Sequence, residues 1–213
     1  MNNKYSEIWD KLHKEFASKS VVKYDDWLVE FDDIISNTHL PIIDLGCGSS
    51  ANNTLYLLEK GKRVISCDFS KEALDIVSNI KGAEVKQFDM LDPFPFEDNC
   101  SDIIIADLSL HYFRKEDTLR ILKEIKRVLR NKGHLFFRVN STNSTEYKQI
   151  IKNNVPKIED GLFFANNMEK RFFSKSDIDK YFVGWSLIEL KEENMTRWSS
   201  DKIVWMCVAT INK

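Results

Sequence analysis

The 213-residue chain lacks several features that mark special classes of protein. Its four cysteines show no Cys-x-x-Cys spacing, so they favour reduced thiols over a disulfide framework or a metal site. No stretch approaches the ~18 apolar residues of a membrane helix, and the first residues contain no apolar core of a signal peptide. We therefore expect a cytoplasmic protein with no bound metal and no membrane partner.

The chain also has no excess of basic residues. The chain has 31 Lys and Arg and 33 Asp and Glu, so its net charge is −2. It therefore lacks the excess of basic residues that is typical of nucleic-acid-binding proteins. Internal repeats, low-complexity tracts and linkers are missing, and 43% hydrophobic with 30% charged residues is ordinary for a globular protein. We expect one domain over residues 1–213, a monomer or homodimer, with a small-molecule partner and no nucleic acid.

The strongest positive signal is an aspartate at the end of each of four apolar segments. In an open α/β sheet, ligands bind at the carboxyl ends of the strands. One such aspartate alone is usually a turn or cap residue. Four in register predict a site for a cationic ligand rich in hydroxyls. They are Asp44, Asp68, Asp89 and Asp107.

The segment Ile42–Ser50, with Asp68 and the step Phe88–Met90, resembles the cofactor core of class I S-adenosylmethionine-dependent methyltransferases. The likeness is good from about residue 40 to 139. Ser50 replaces the family's usual third glycine and is expected to cap the next helix. The resemblance implies S-adenosyl-L-methionine as cofactor, S-adenosyl-L-homocysteine as product, and a cofactor site of Asp44, Gly46, Cys47, Gly48, Asp68, Phe69, Asp89, Met90, Asp107, Leu108 and His111.

By the same resemblance, each strand end receives one part of the cofactor. Asp68 accepts from the ribose hydroxyls, and Asp89 accepts from the adenine amino group while Met90 and Phe69 flank the ring. The segment that begins at Asp107 lies beside the methionine part and the transferred methyl group.

A nicotinamide cofactor is the rival interpretation, because Gly46–Ala51 also fits the Gly-x-Gly-x-x-Gly/Ala pattern and Asp68 follows at about 20 residues. A dinucleotide places an anionic pyrophosphate at this turn. Asp44 would repel it, whereas the ammonium and sulfonium groups of S-adenosylmethionine favour an acid there. The alternative of an NAD-dependent oxidoreductase is therefore the less favoured one.

Strands that alternate with helices predict an α/β fold: a doubly wound, mostly parallel seven-stranded sheet. The resemblance implies that the N-terminal helices form a lid over the cofactor cleft. Residues 1–38 are predicted as the lid and 39–140 as the cofactor core. Residues 141–213 are predicted as a substrate loop and a C-terminal antiparallel hairpin. Ser174 and Asp177 form a capping-box pattern for the helix before that hairpin.

The predicted function is methyl transfer to a small molecule by in-line displacement, which needs alignment more than a catalytic side chain. His111 is the candidate general base, or else a residue that packs on the cofactor. Tyr5 and Trp9 line the cleft or belong to the core. Arg138 and Arg171 hold an acidic substrate group or pair with acids at the surface. A catalytically silent cofactor-binding regulator is the alternative from another class of function.

Overall fold

The computed structural model describes residues 3–18, 25–195 and 201–213. A seven-stranded sheet has the order β3-β2-β1-β4-β5-β10-β9, and a three-stranded sheet has the order β6-β7-β8. The strands are β1 (Ile42–Leu45), β2 (Val64–Asp68), β3 (Glu84–Gln87), β4 (Ser101–Asp107), β5 (Leu129–Asn140), β6 (Lys157–Glu159), β7 (Leu162–Ala165), β8 (Met168–Arg171), β9 (Ser186–Asn194) and β10 (Ile203–Thr210). The helices are α1 (Asn3–Ser18), α2 (Asp32–Ser36), α3 (Asn52–Glu59), α4 (Lys71–Val77), α5 (Lys115–Val128), α6 (Thr145–Lys152) and α7 (Lys175–Tyr181).

The first five strands of the large sheet are parallel, and β10 pairs antiparallel with both β5 and β9. This is the predicted doubly wound sheet with its closing hairpin. Its chain order reverses beside β1, since β2 pairs on one side and β4 on the other. A ligand crevice is expected at the carboxyl ends of the strands at this point.

Both faces of the central strands are buried, as parallel sheets require. Side chains alternate along each strand, so Ile42 and Ile103 face one hydrophobic cluster while Ile43 and Ile104 face the other. The cluster that contains Ile42 packs on the 27–35 segment and α3, and the second packs on α5 and α7. The core therefore holds the strand ends rigidly in place.

Two helix boundaries differ from the sequence prediction. Ser50 does not cap α3: its N-cap is Ala51, which has φ +47 and makes no side-chain capping bond. The run Asn131-Lys132-Gly133 predicts a glycine stop after α5, but the helix passes directly into β5 at Leu129. Gly133 lies within β5 instead, where a Cβ would come 2.9 Å from the carbonyl oxygen of Arg130.

The capping box of α7 is confirmed. The Ser174 hydroxyl accepts from the N–H of Asp177 at 3.2 Å, and the Asp177 carboxylate accepts from the N–H of Ser174 at 2.9 Å.

The sheet β6-β7-β8 was not predicted from sequence. Its β7 and β8 are joined by Asn166 and Asn167, which both have positive φ (+53 and +64). Two such residues between antiparallel strands are typical of a type I′ hairpin turn, which Asn tolerates well. Arg114 pairs with Glu169 at 2.9 Å and joins this sheet to the chain after β4. The segment that follows β5 is thus a folded wall and not an open loop.

Candidate functional site

The turn after β1 has the close-approach geometry of a ligand cradle. Gly46 and Gly48 have φ of +75 and +58, which glycine adopts without strain. A Cβ on Gly46 would lie 2.7 Å from the Ser109 Cβ and 3.8 Å from the Met90 Cε. The glycine therefore brings β1 against the segments that follow β3 and β4. The backbone N–H groups of Gly46 and Cys47 both donate to the carbonyl oxygen of Cys67, at 2.8 and 3.0 Å.

Asp44 lies behind this turn and is buried on β1. Its carboxylate accepts from Asn53 Nδ2 and Thr54 Oγ1 of α3, each at 3.2 Å. Burial raises the pKa of Asp44 to about 7, and the negative charges of Asp107 and Asp68 add to the effect. A cation at the turn would lower this pKa and stabilise the ionised acid.

Asp68 is oriented by the backbone on both sides of the crevice. Its Oδ2 accepts from the N–H of Gly48 at 3.0 Å, and its Oδ1 accepts from the N–H of Ser70 at 2.9 Å. Burial raises the pKa of Asp68, while these hydrogen bonds and the nearby His13 act in the opposite direction. Each carboxylate oxygen retains a lone pair, so the group can still accept from a hydroxyl.

The segment after β3 lies beside the same turn. Asp89 is half-buried, and its Oδ1 accepts from the N–H of Leu91 at 3.0 Å, as in an Asx turn. Met90 reaches the glycine turn, as shown above, and Phe69 is half-buried at the start of the loop after β2. The structure thus brings all four predicted strand ends together: Gly46 lies against Met90 and Ser109, which follow β3 and β4, and Gly48 bonds Asp68 at the end of β2.

Asp107, at the end of β4, is committed to an internal ion pair. Arg138 Nε and Nη2 donate to its two carboxylate oxygens, each at 2.8 Å. The Arg138 guanidinium also pairs with Asp25 at 2.8 Å and Glu193 at 3.2 Å, and it lies 4.5 Å from the Trp27 ring centre. Arg138 is 1% exposed. This geometry contradicts the expectation that it holds an acidic substrate group, and the expected pairing with acids is buried, not at the surface.

Arg171 is likewise internal. Its guanidinium pairs with Glu159 and donates to the carbonyl oxygens of Asp160 at 2.6 Å and Phe113 at 3.5 Å. It is 3% exposed and lies over the rings of Phe173 and Tyr181. The substrate role expected for Arg171 is therefore contradicted too, because it instead joins the small sheet to the segment after β4.

That segment carries two buried polar groups for which the described part of the chain offers no hydrogen-bond partner, the Ser109 Oγ and the His111 Nδ1. Leu108 enters it with φ +55, and its N–H donates to the carbonyl oxygen of Arg138 at 3.0 Å. His111 lies in a short 3-10 helix, Leu110–Tyr112, and is 1% exposed. Burial, followed by the charges of Lys202 and Lys170, lowers its pKa well below the usual value. The ring is therefore neutral at pH 7.

Helix α1 covers this side of the crevice. The ring of Trp9 meets that of Tyr112 edge-on at 5.0 Å and stacks on His13 at 5.6 Å. Asp10 Oδ1 accepts from the Ser70 hydroxyl at 2.6 Å, which fixes α1 to the start of α4. Trp9 thus packs against the segment after β4, and its contact with a substrate stays a prediction. The side chain of Tyr5 lies outside the described residues.

His13 was not predicted from sequence as a site residue, although it contacts the glycine turn directly. Its Nδ1 lies 3.1 Å from the Ser49 Oγ and accepts from the N–H of Ser49 at 3.3 Å. A signal was present, because His13 follows Trp9 by four residues and so shares its helical face.

Known proteins resemble this chain in sequence and in fold. Residues 43–137 match the family described as a methyltransferase domain. A tRNA N(3)-methylcytidine methyltransferase of Schizosaccharomyces pombe is 26% identical over 212 residues, covering 88% of this chain and 82% of the relative. The matched family segment contains the glycine turn and the ends of β2, β3 and β4.

Solved structures share the whole fold. A methyltransferase from Methanosarcina mazei has a TM-score of 0.71 at 19% identity, covering 81% of this chain and 92% of that chain. One from Clostridium acetobutylicum has a TM-score of 0.67 at 19% identity, covering 99% of both chains. The domain match over residues 43–137, the fold and the glycine turn together support a class I S-adenosylmethionine-dependent methyltransferase.

The residues present fit S-adenosyl-L-methionine as the cofactor of this class. Gly46 leaves the space that a Cβ would fill, and Asp68 offers an oriented acceptor. The buried Ser109 Oγ and His111 Nδ1 are polar atoms that a ligand can satisfy. An acid, rather than a phosphate-binding group, lies behind the turn. No helix in the described ranges is long and apolar enough to span a membrane.

Proposed function

We propose that this enzyme methylates a small molecule held between α1, the segment after β4 and the sheet β6-β7-β8. The observation that carries the proposal is the meeting of Trp9, Tyr112 and buried His111 at one end of the crevice. Aromatic side chains at one end of a crevice suit a compact acceptor.

The charges of the small sheet support the same proposal. Lys170 pairs with Glu146 at 2.9 Å, Lys157 with Asp160 at 3.7 Å, and Arg171 with Glu159. Since these cations are compensated by their neighbours, the wall contributes little positive potential toward a phosphate backbone.

The bound cofactor supplies an electrophilic methyl group on a sulfonium. We infer that Asp44 faces its cationic amino-acid part, that Asp68 accepts from the ribose, and that Asp89, Met90 and Phe69 surround the adenine. Ser109 and Leu108 lie toward the reacting end. Alignment of the acceptor in this closed space accounts for most of the acceleration.

His111 is the proposed proton acceptor at the reacting end. Its neutral ring has a free lone pair, and its burial keeps competing water away. A proton must leave when a phenol, alcohol or amine is methylated, and a neighbouring imidazole can receive it.

Transfer RNA is the second candidate acceptor. The observation that favours it is the similarity to the Schizosaccharomyces pombe tRNA methyltransferase along 88% of this chain. A flipped base can also enter a buried pocket. The expectation that no nucleic acid is bound therefore stays a prediction.

The test is formation of S-adenosylhomocysteine by the purified protein. Fractions of small metabolites and, in parallel, total tRNA are supplied with S-adenosylmethionine, and the product is measured by mass spectrometry. We expect product with a small-molecule fraction and none with tRNA. Methyl incorporation into tRNA alone would overturn the small-molecule acceptor. A thermal shift with S-adenosylhomocysteine but no turnover with any acceptor would indicate the silent regulator instead.

A further inference from the structure

His13 of α1 is buried directly over the glycine turn, with 7% of its surface exposed. A Cβ on Gly48 would come 3.4 Å from its Cε1. The neighbouring Ser49 N–H donates to its Nδ1 at 3.3 Å. This histidine therefore forms part of the inner wall of the crevice, although it lies on a helix about 30 residues before the sheet begins.

These contacts determine which ring nitrogen carries a proton. A backbone N–H can only donate, so Nδ1 must be the unprotonated nitrogen. Burial lowers the pKa of His13, while Asp68 and Asp10 partly oppose this. The ring is therefore neutral at pH 7 and carries its proton on Nε2, as a hydrogen-bond donor.

Asp68 is the main charged neighbour of that ring. Each affects the titration of the other, since the His13 charge lowers the pKa of Asp68 and the Asp68 charge raises that of His13. A ribose hydroxyl can donate to a carboxylate and accept from an N–H at the same time. An acid and a neutral imidazole that both lie against Gly48 thus match one diol better than either does alone.

We propose that His13 is a cofactor-binding residue whose Nε2–H donates to a ribose hydroxyl oxygen while Asp68 accepts from the ribose. The inference rests on S-adenosylmethionine as the cofactor. It assigns α1 a direct part in binding, in addition to covering the crevice. The contact between Nδ1 and Ser49 then orients the ring so that Nε2 is presented to the ligand.

The experiment replaces His13 with Gln or Asn, whose amide groups lie at different distances from the backbone. Gln places its Nε2 near the position of the histidine Nε2, whereas Asn places its Oδ1 near that of Nδ1. We would measure the affinity for S-adenosylhomocysteine by calorimetry in the wild type and in His13→Gln, His13→Asn and His13→Ala. Lys14→Ala is the matched control, because it removes only the exposed pair of α1 with Glu72.

We expect His13→Ala and His13→Asn to weaken binding by about tenfold or more, and His13→Gln to stay within about threefold of the wild type. The same ratios should hold for 5′-methylthioadenosine, which keeps the ribose and lacks the amino-acid part. Thermal melting should show that all variants are folded.

Three results would overturn the proposal. If His13→Asn binds as the wild type does while His13→Gln does not, the histidine only holds the Ser49 turn through Nδ1. If only S-adenosylhomocysteine is affected, the contact is with the amino-acid part and not the ribose. A wild-type protein that binds neither compound would instead refute the cofactor assignment itself.

Discussion

The carboxylates of the site are in three different electrostatic states. Asp107 is neutralised by two hydrogen bonds from Arg138, and Asp68 is held by two backbone N–H groups. Asp44 accepts from the uncharged side chains Asn53 and Thr54 and is buried. We therefore infer that Asp44 and Asp68, unlike Asp107, are available to a ligand, and that Asp107 has a structural task.

The first prediction at this scale concerns Asp44. The folded chain holds its proton up to a pKa of about 7, whereas the unfolded carboxyl loses it near 3.8. Its contribution to stability is therefore lost as the pH rises from about 4 through 7, by up to about 4 kcal/mol. Asp44→Asn should melt at a higher temperature than the wild type at pH 8, with a smaller gain at pH 5.

Scanning calorimetry at the two pH values measures the effect, and S-adenosylmethionine affinity should fall in the same variant. Asp75→Asn, which changes an exposed acid paired with Lys71, is the control and should alter the melting temperature little. An Asp44→Asn gain of equal size at both pH values would contradict the raised pKa.

The second prediction concerns His111. Burial first, and then the charges of Lys202 and Lys170, lower its pKa well below the usual value. The His111 ring is therefore fully in its neutral, proton-accepting form at neutral pH. The wild-type rate should stay constant from about pH 6.5 upward. His111→Ala should lower kcat by about 10²–10⁴ and leave S-adenosylhomocysteine affinity nearly unchanged.

The pH profile of kcat and a calorimetric titration separate the alternatives. A residue that only packs on the cofactor would give the opposite pattern, with weaker affinity and an unaltered kcat. A wild-type rate that rises through pH 6.5 would contradict the low pKa.

Among the elements, the sheet β6-β7-β8 packs against the segment after β4, where we propose that the acceptor binds. Its β8 supplies Lys170 toward His111 and Arg171 toward the carbonyl oxygen of Phe113. Phe163 and Phe172 are buried beneath it with Ile150 of α6. This small core supports the wall, so its hairpin turn must be correct for the acceptor side to form.

The hairpin gives the third prediction. Asn167 has φ +64, a conformation that a β-branched residue adopts only with strain. Asn167→Val should destabilise the protein by about 1–2 kcal/mol, whereas Asn167→Gly should be neutral or slightly stabilising. Urea denaturation of the two variants measures the difference. Equal stabilities would show that the turn is not formed in this way.

For the whole molecule, Arg138 joins three distant parts of the chain. Its carboxylate partners are Asp25 before α2, Asp107 at the end of β4 and Glu193 on β9. Leucine or methionine at this position would leave those acids without their cation. The ion pairs thus link the N-terminal region, the site and the sheet edge.

The fourth prediction follows from this network. Arg138→Ala should cost about 3–5 kcal/mol, because it removes a buried guanidinium from three half-buried carboxylates that it pairs with. The exposed pair of Arg120 with Asp117 is the control, and Arg120→Ala should cost about 1 kcal/mol or less. Chemical denaturation measures both. A cost for Arg138→Ala as small as that for Arg120→Ala would refute the role of the network.

The sequence alone was enough for the sheet, its closing hairpin, the glycine turn and the cofactor class. These depend on local signals: apolar runs of strand length, aspartates directly after them, and Gly46 and Gly48, whose positive φ few other residues adopt easily. Strand alternation then restricts the topology to very few choices. The capping box at Ser174 is local in the same way and is confirmed.

Only the tertiary structure decided which charged side chains are available to a ligand. Arg138 and Arg171 had the chemistry to bind an acidic substrate, but their partners lie up to 113 residues away in sequence and bury them. No strong local pattern marked His13 as a site residue, because the turn that it contacts, at Ser49, lies 36 residues later in the chain. Hydrogen bonds and desolvation depend on neighbours in space, so no local pattern reports whether a charge is already compensated.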